Sequence, residues 1–268
     1  MGGPGAENKA YFTARAAFGA VCVLAISLSG CAGSSTAPAA TIVKQCVLPS
    51  DQTGTISAHW PLTPVPITLA AGQFSATENA AIKAAADTWN TFYTASIGQP
   101  TIDYGGGASV RETTSTKPTS LCNSHIVSTS SFTGQVVIYK EGKWPYANHA
   151  AIALTSFCPS PASPLPTISM AIMEVNYQDF FVSGAKQPDL TSIFVHEFGH
   201  LMGLDHSCAA GGKTGFPDCN AASLNPDYFS AVMYPVILFD NSGVGQVRAT
   251  LQSNDEGRAN CLYGAGSK

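Results

Sequence analysis

Charge is scarce in this chain of 268 residues: only 11% of positions are Asp, Glu, Lys or Arg, against about 25% in an average soluble domain. Basic residues are in deficit, with 13 Lys and Arg facing 17 Asp and Glu for a net charge of -4. No positive field is present that could condense on phosphates, which excludes a nucleic-acid partner. Long apolar runs are missing as well. The uncharged, mostly apolar stretch at residues 16–28 falls short of the roughly 20 residues a membrane-spanning helix requires. Internal repeats are not evident, and the Pro- and Ser-rich stretch at residues 159–166 is too short for a linker between domains. What the chain does have is hydrophobic content, 45% of residues, which excludes disorder and allows one sizeable core.

The short apolar run follows Lys9 and Arg15, an arrangement that reads as the charged and hydrophobic parts of an export signal. Directly after it comes Leu28-Ser29-Gly30-Cys31, which resembles the lipobox of bacterial lipoproteins. A cut before an acylated Cys31 is expected. Losing the first 30 residues, and with them Glu7, Lys9 and Arg15, would bring the net charge to -5. Residues 32–40 contain only Ala, Gly, Ser, Thr and Pro, a composition that cannot bury enough apolar area to fold and reads as a tether. The expected organisation is therefore a signal at 1–30, a lipidated cysteine with tether and N-terminal arm at 31–60, and a single folded domain at 61–268. An extracytoplasmic address follows, outer membrane or cell surface if anchored at Cys31 and secreted if not.

Of the eight cysteines, Cys46, Cys122, Cys158, Cys208, Cys219 and Cys261 remain after removal of Cys22 and assignment of Cys31. An even set in an oxidising compartment favours up to three disulfides, and the sequence leaves fifteen complete pairings open. Cys208 with Cys219, bracketing a short Gly-rich loop, is the one specific pairing expected. Strand patterns occur at 65–69, 101–104, 135–139, 150–155 and 168–176. Ser75-Ala76-Thr77-Glu78 reads as a capping box opening a helix through Trp89. Asp189 or Thr191 can cap a helix over 190–202, and a last helix is expected over 254–263. Strands followed by helices argue an α+β arrangement with a mixed sheet.

The most informative stretch is His196-Glu197-Phe198-Gly199-His200-Leu201-Met202-Gly203-Leu204-Asp205-His206. On a helix His196 and His200 lie one turn apart on one face, so both imidazoles can reach one ion. Gly203 stands where the helix must stop and the chain must turn, which lets His206 approach from another direction. Three imidazoles leave a fourth zinc position for water, the pattern of a catalytic site. Glu197 is placed to act as general base on that water and then as acid toward a departing amine.

These residues resemble the extended zinc motif of the metzincin endopeptidases, and within them the matrixins. Ser207 follows the third His as in matrixins, Ala231-Val232-Met233-Tyr234-Pro235 resembles their Met-turn, and residues 251–264 resemble their closing helix. The resemblance spans about residues 61–264. It implies a zincin domain with a twisted, mixed five-stranded sheet, an active-site helix and a C-terminal helix. It implies His196, His200 and His206 as ligands of one catalytic Zn2+, Glu197 as general base, Met233 beneath the site, and Tyr234 and Pro235 at the specificity pocket. Pro235 stands where astacins and serralysins carry a tyrosine that approaches the metal, so no tyrosine ligand is expected. The implied substrate is an extended polypeptide paired to a sheet edge, for which residues 168–176 are the candidate edge. Residues 236–247 are expected to form the far wall of the pocket.

Some features of the resemblance have no counterpart. No structural-zinc pattern is found, so His59, His125 and His149 read as surface or loop residues. A Ca2+ site is undecided, since Asp240-Asn241 is far from a full oxygen-ligand loop. No cysteine-switch propeptide is recognisable, and Cys46 reads as a disulfide partner. The expected protein is a monomeric zinc endopeptidase whose membrane contact is an N-terminal lipid only. A non-catalytic zinc-containing surface adhesin is the alternative, and retention of Glu197 favours the enzyme.

Overall fold

A computed structural model describes residues 8–16 (backbone only), 41–61, 63–114, 116–118, 122, 136–160 and 165–264. In chain order the elements are β1 (Asn8–Ala16), β2 (Val65–Ala70), α1 (Ala76–Ile97), β3 (Ile102–Asp103), β4 (Glu112–Thr113), β5 (Val136–Glu141), β6 (Ala151–Ser160), β7 (Thr167–Asn176), α2 (Leu190–Leu201), α3 (Pro226–Ser230), β8 (Val236–Phe239) and α4 (Ser253–Tyr263). The capping box is present: Ser75 and Glu78 satisfy each other's backbone amides at the start of α1, and Gly98 closes that helix in the left-handed conformation. No described helix is long and apolar enough to cross a membrane.

Short β3 and β4 pair in succession with the same edge of β2, so together they act as one outer strand. The sheet then runs β2, β5, β7, β6, with parallel pairing from β2 to β7 and antiparallel pairing of β7 with β6. The result is the expected mixed five-stranded sheet in an α+β domain. The expectation that residues 168–176 form the substrate edge is overturned: β7 is hydrogen-bonded on both sides, to β5 and to β6. Ala171, Met173 and Val175 belong to the main core, while Met170 and Ile172 belong to a second apolar cluster, so both faces of this strand are covered. The outer strand of the five is β6. Its far edge pairs antiparallel with β1, which in turn pairs parallel with β8.

One face of the sheet packs on α1 and α2 through Ile67, Ile138 and Met173 against Ile82, Trp89, Phe194 and Phe198. The other face is tacked down by the Cys122–Cys158 disulfide and by Lys117. Its ammonium lies 2.8 Å from the buried Glu174 and 2.6 Å from Glu141. The expected Cys208–Cys219 bridge is present, and the third disulfide joins Cys46 to Cys261. From residue 41 onward the N-terminal arm is packed against the domain. The Val47 amide donates to the Gly257 carbonyl (3.0 Å), and the Trp60 indole to the Leu201 carbonyl (2.7 Å).

His59 is half-buried beside the Tyr263 ring. His149 is exposed and bonded to Asp179, and His125 lies outside the described residues, as does Cys31. The Asp240 carboxylate accepts hydrogen bonds from Ser242 and Val244 within its own turn.

Candidate metal centre

The sequence of α2 is apolar on nearly every side, and from Ser192 to Leu201 all of it is buried. Such a helix belongs in the middle of a domain. Asp189 caps it by accepting from the Ser192 amide at 2.7 Å. Trp89 of α1 locks its position, donating from the indole nitrogen to the Val195 carbonyl at 2.8 Å. After Leu201 the chain turns at Gly203, whose φ is +97° and whose missing side chain makes room for the Ala58 carbonyl. That turn delivers His206.

The ligand-type nitrogens of His196, His200 and His206 lie within 4.8 Å of one another, and no other such group of three His, Cys, Asp or Glu occurs among the described residues. Nδ1 of His196 donates to the Val232 carbonyl (2.7 Å) and Nδ1 of His200 to the Leu204 carbonyl (2.8 Å). A carbonyl can only accept, so both rings carry their proton on Nδ1 and present Nε2 as a lone-pair donor. Nε2 of His200 and of His206 are 3.2 Å apart, close to the roughly 3.3 Å that two ligands at 2.0–2.1 Å subtend around a tetrahedral ion. Burial pushes the imidazoles of His196 and His206 well below the ordinary histidine range, and that of His200 down as well. Neutral imidazoles are what a metal needs. The donor set therefore fits zinc.

Glu197 is fully buried between α2 and β6. Its Oε2 accepts from the Thr155 hydroxyl at 2.5 Å, while Oε1 has no hydrogen-bond partner in the protein. Burial pushes this carboxyl up to about 8, against the lowering effect of Thr155. A carboxylate poised to exchange a proton near neutrality, with one oxygen uncommitted, is suited to general acid–base work.

Met233 is fully buried and packs against the helix at Gly199, where any side chain would strike its sulfur. Its turn is held by Asp255 of α4, which accepts from the amides of Val232 (2.8 Å) and Met233 (3.1 Å). Burial raises the Asp255 carboxyl, opposed by Arg258 and by the amides it binds. Tyr234 follows, its ring 4.9 Å from that of Phe229 and 5.1 Å from the Arg248 guanidinium. The structure thus brings His196, His200 and His206 together, with Glu197 next to His196 on α2, Met233 against the same helix at Gly199, and Tyr234 and Pro235 next in the chain. Sequence reasoning missed Thr155, Val232 and Asp255. Asp255 carried a weak signal as the third residue of α4 in a capping box with Gln252; Thr155 and the Val232 carbonyl carried none.

The fold and the three-histidine centre define a zincin-type metal domain. A family model for the matrixins matches residues 73–212, just over half of the chain and inclusive of the whole histidine motif. The chain belongs to the matrixin family, whose domain implies a zinc metalloprotease. No curated protein matches the sequence.

Proposed function

We propose that this matrixin is an endopeptidase that hydrolyses extended polypeptides outside the cytoplasm, with Glu197 as the proton-transfer residue. The observation that carries this reading is the convergence of three imidazoles, their ligand nitrogens within 4.8 Å of one another, in a stretch that also holds Glu197, a buried carboxylate with one oxygen unbonded in the protein. His196, His200 and His206 would hold a single zinc ion, which when bound supplies Lewis acidity toward the scissile carbonyl and lowers the pKa of water. Glu197 Oε1 takes a proton from the attacking water and passes it to the leaving amine, so that one water is consumed for each peptide bond broken. Thr155 keeps the other carboxylate oxygen fixed during both transfers. The Val232 carbonyl holds the His196 ring in place, with Met233 packed against the helix at Gly199. Tyr234 and Pro235 line the pocket for the residue following the cut, with residues 236–247 as its far wall.

The substrate strand is read as lying where β1 lies, antiparallel to β6 and parallel to β8. Ala10 of β1 pairs with Thr155, the residue bonded to Glu197, so a strand in this groove passes the proton-transfer residue. Processing before Cys31 would remove β1 and open the groove in the same step. Three disulfides support an oxidising compartment, and lipidation at Cys31 remains the proposed anchor.

The test is cleavage of an unfolded protein by zinc-loaded wild type and Glu197→Gln. Chelator-sensitive cleavage that falls by about 10²–10⁴-fold in the variant, at equal zinc content, is expected. Equal zinc with no Glu197-dependent cleavage would identify a non-catalytic binding module instead. Mass spectrometry of the mature N-terminus tests Cys31.

A further inference from the structure

The third ligand, His206, stands outside the helix that fixes the other two, and its position must come from elsewhere. It is flanked by Asp205 and Ser207, whose carbonyl oxygens are held by side chains far away in sequence. Arg258 of α4, fully buried, donates from Nη1 to the Asp205 carbonyl at 3.0 Å and more weakly to the Thr55 carbonyl at 3.4 Å. Gln52 of the N-terminal arm, also fully buried, donates from Nε2 to the Ser207 carbonyl at 2.7 Å. Asn254 joins the two: its Nδ2 donates to Gln52 Oε1 (2.7 Å), and its Oδ1 accepts from Arg258 Nε (3.1 Å). The Asp205 side chain completes the arrangement by accepting from the His206 amide at 2.8 Å.

We propose that Arg258 and Gln52, coupled through Asn254, form a clamp that positions His206 and so sets the affinity of this site for its metal. The inference rests on the zinc reading given above and adds residues from the arm and the closing helix to it. Arg258 and Gln52 act through the two carbonyls that bracket residue 206, which fixes where the backbone presents the imidazole. Arg is the residue suited to this, since its planar fork can serve Asp205, Thr55 and Asn254 at once. Its charge is balanced within α4 by Asp255, 3.7 Å away, and Asp255 in turn holds the turn beneath His196. The closing helix thereby fixes both ends of the ligand set.

The experiment is a double-mutant cycle in the full chain, read as zinc affinity by competition with a fluorescent chelator. Arg258→Met and Gln52→Met are each made in the wild type and in His206→Ala. Each is expected to weaken zinc binding about tenfold to a hundredfold in the wild-type background and to have no further effect once His206 is gone. A loss of equal size in both backgrounds means the residues act on the fold and not through His206, and overturns the proposal. So does unchanged affinity in the wild-type background. Should Arg258→Met not fold, Gln52→Met, which leaves the Arg258–Asp255 pair intact, decides alone. Failure of wild type to bind zinc, or indifference of its affinity to His206→Ala, would sink the zinc reading itself and is distinguishable from both.

Discussion

Gly203 carries more of the site than its size implies. At φ +97° any L side chain pays for the left-handed conformation, and a Cβ there would collide with the Ala58 carbonyl. Gly203→Ala is expected to cost at least about 2 kcal/mol in urea unfolding and to lower zinc content, because the turn it makes is what brings His206 to the other two rings. Thr155 offers a cleaner chemical test. Its hydroxyl lowers the Glu197 carboxyl that burial raises, so Thr155→Val should raise that carboxyl further and keep it protonated to higher pH. The acid limb of the kcat/KM profile then moves up, with activity on that limb falling on the order of tenfold. An unmoved limb would show that Thr155 does not tune Glu197. At this scale the zinc motif was legible because its ligands fall within eleven consecutive residues and helical periodicity relates two of them. Thr155 and Val232 were not legible, since they reach the site across 42 and 36 residues through tertiary packing that no local pattern encodes, and the capping pattern of Asp255 marked a helix start but not its hold on the Met233 turn.

Among the elements, α1 shows how a cap can tie a helix to a sheet. Glu78 closes the capping box and also accepts from Lys140 of β5 (2.7 Å) and from the Tyr177 hydroxyl (2.6 Å). Burial alone would raise its carboxyl, but Lys140, Tyr177 and Ser75 together hold it down to about 2, below its ordinary value of 4.5. A group depressed in the folded state contributes stability above its unfolded pKa and loses that contribution as pH falls through the folded one. Thermal unfolding should therefore reveal a loss of stability between pH 4.5 and 2 that is reduced in Glu78→Gln. Strand order shows the limit of sequence reading at this scale. The apolar run of β7 marks a strand but cannot say whether its edges are paired, and its place between β5 and β6 depends on chain segments far away. The strand β1 supplies a further test. Attached to the same chain, such a segment acts at an effective concentration in the millimolar range. A chain starting at Cys31 is expected to cleave an unfolded protein at least about tenfold faster than the full chain, with a peptide of residues 8–16 inhibiting it in trans. Equal rates would show that β1 does not block the groove.

Across the whole molecule, the N-terminal arm and the closing helix α4 are joined to each other and to the metal site. The arm at 41–60 meets α4 through the Val47 and Val43 backbone, with Glu256 and Asn260 accepting from and donating to residue 43. The Cys46–Cys261 disulfide then closes a loop of 215 residues. Cross-linking so long a loop removes much of the unfolded chain's freedom, about 5 kcal/mol in the chain-entropy account. Cys46→Ala with Cys261→Ala should accordingly lower unfolding free energy by roughly 3–5 kcal/mol, far more than an exposed ion pair contributes. Gln52 sits on the same arm, six residues beyond Cys46, so loosening the arm should also weaken its hold on the Ser207 carbonyl. The two effects separate on measurement: the entropic one appears in unfolding of metal-free protein, whereas the local one appears as lower zinc affinity while the protein is still folded. A double variant that loses stability yet keeps full zinc affinity would show that Gln52 holds its place without the disulfide. Loss of both would make the arm a structural part of the metal centre.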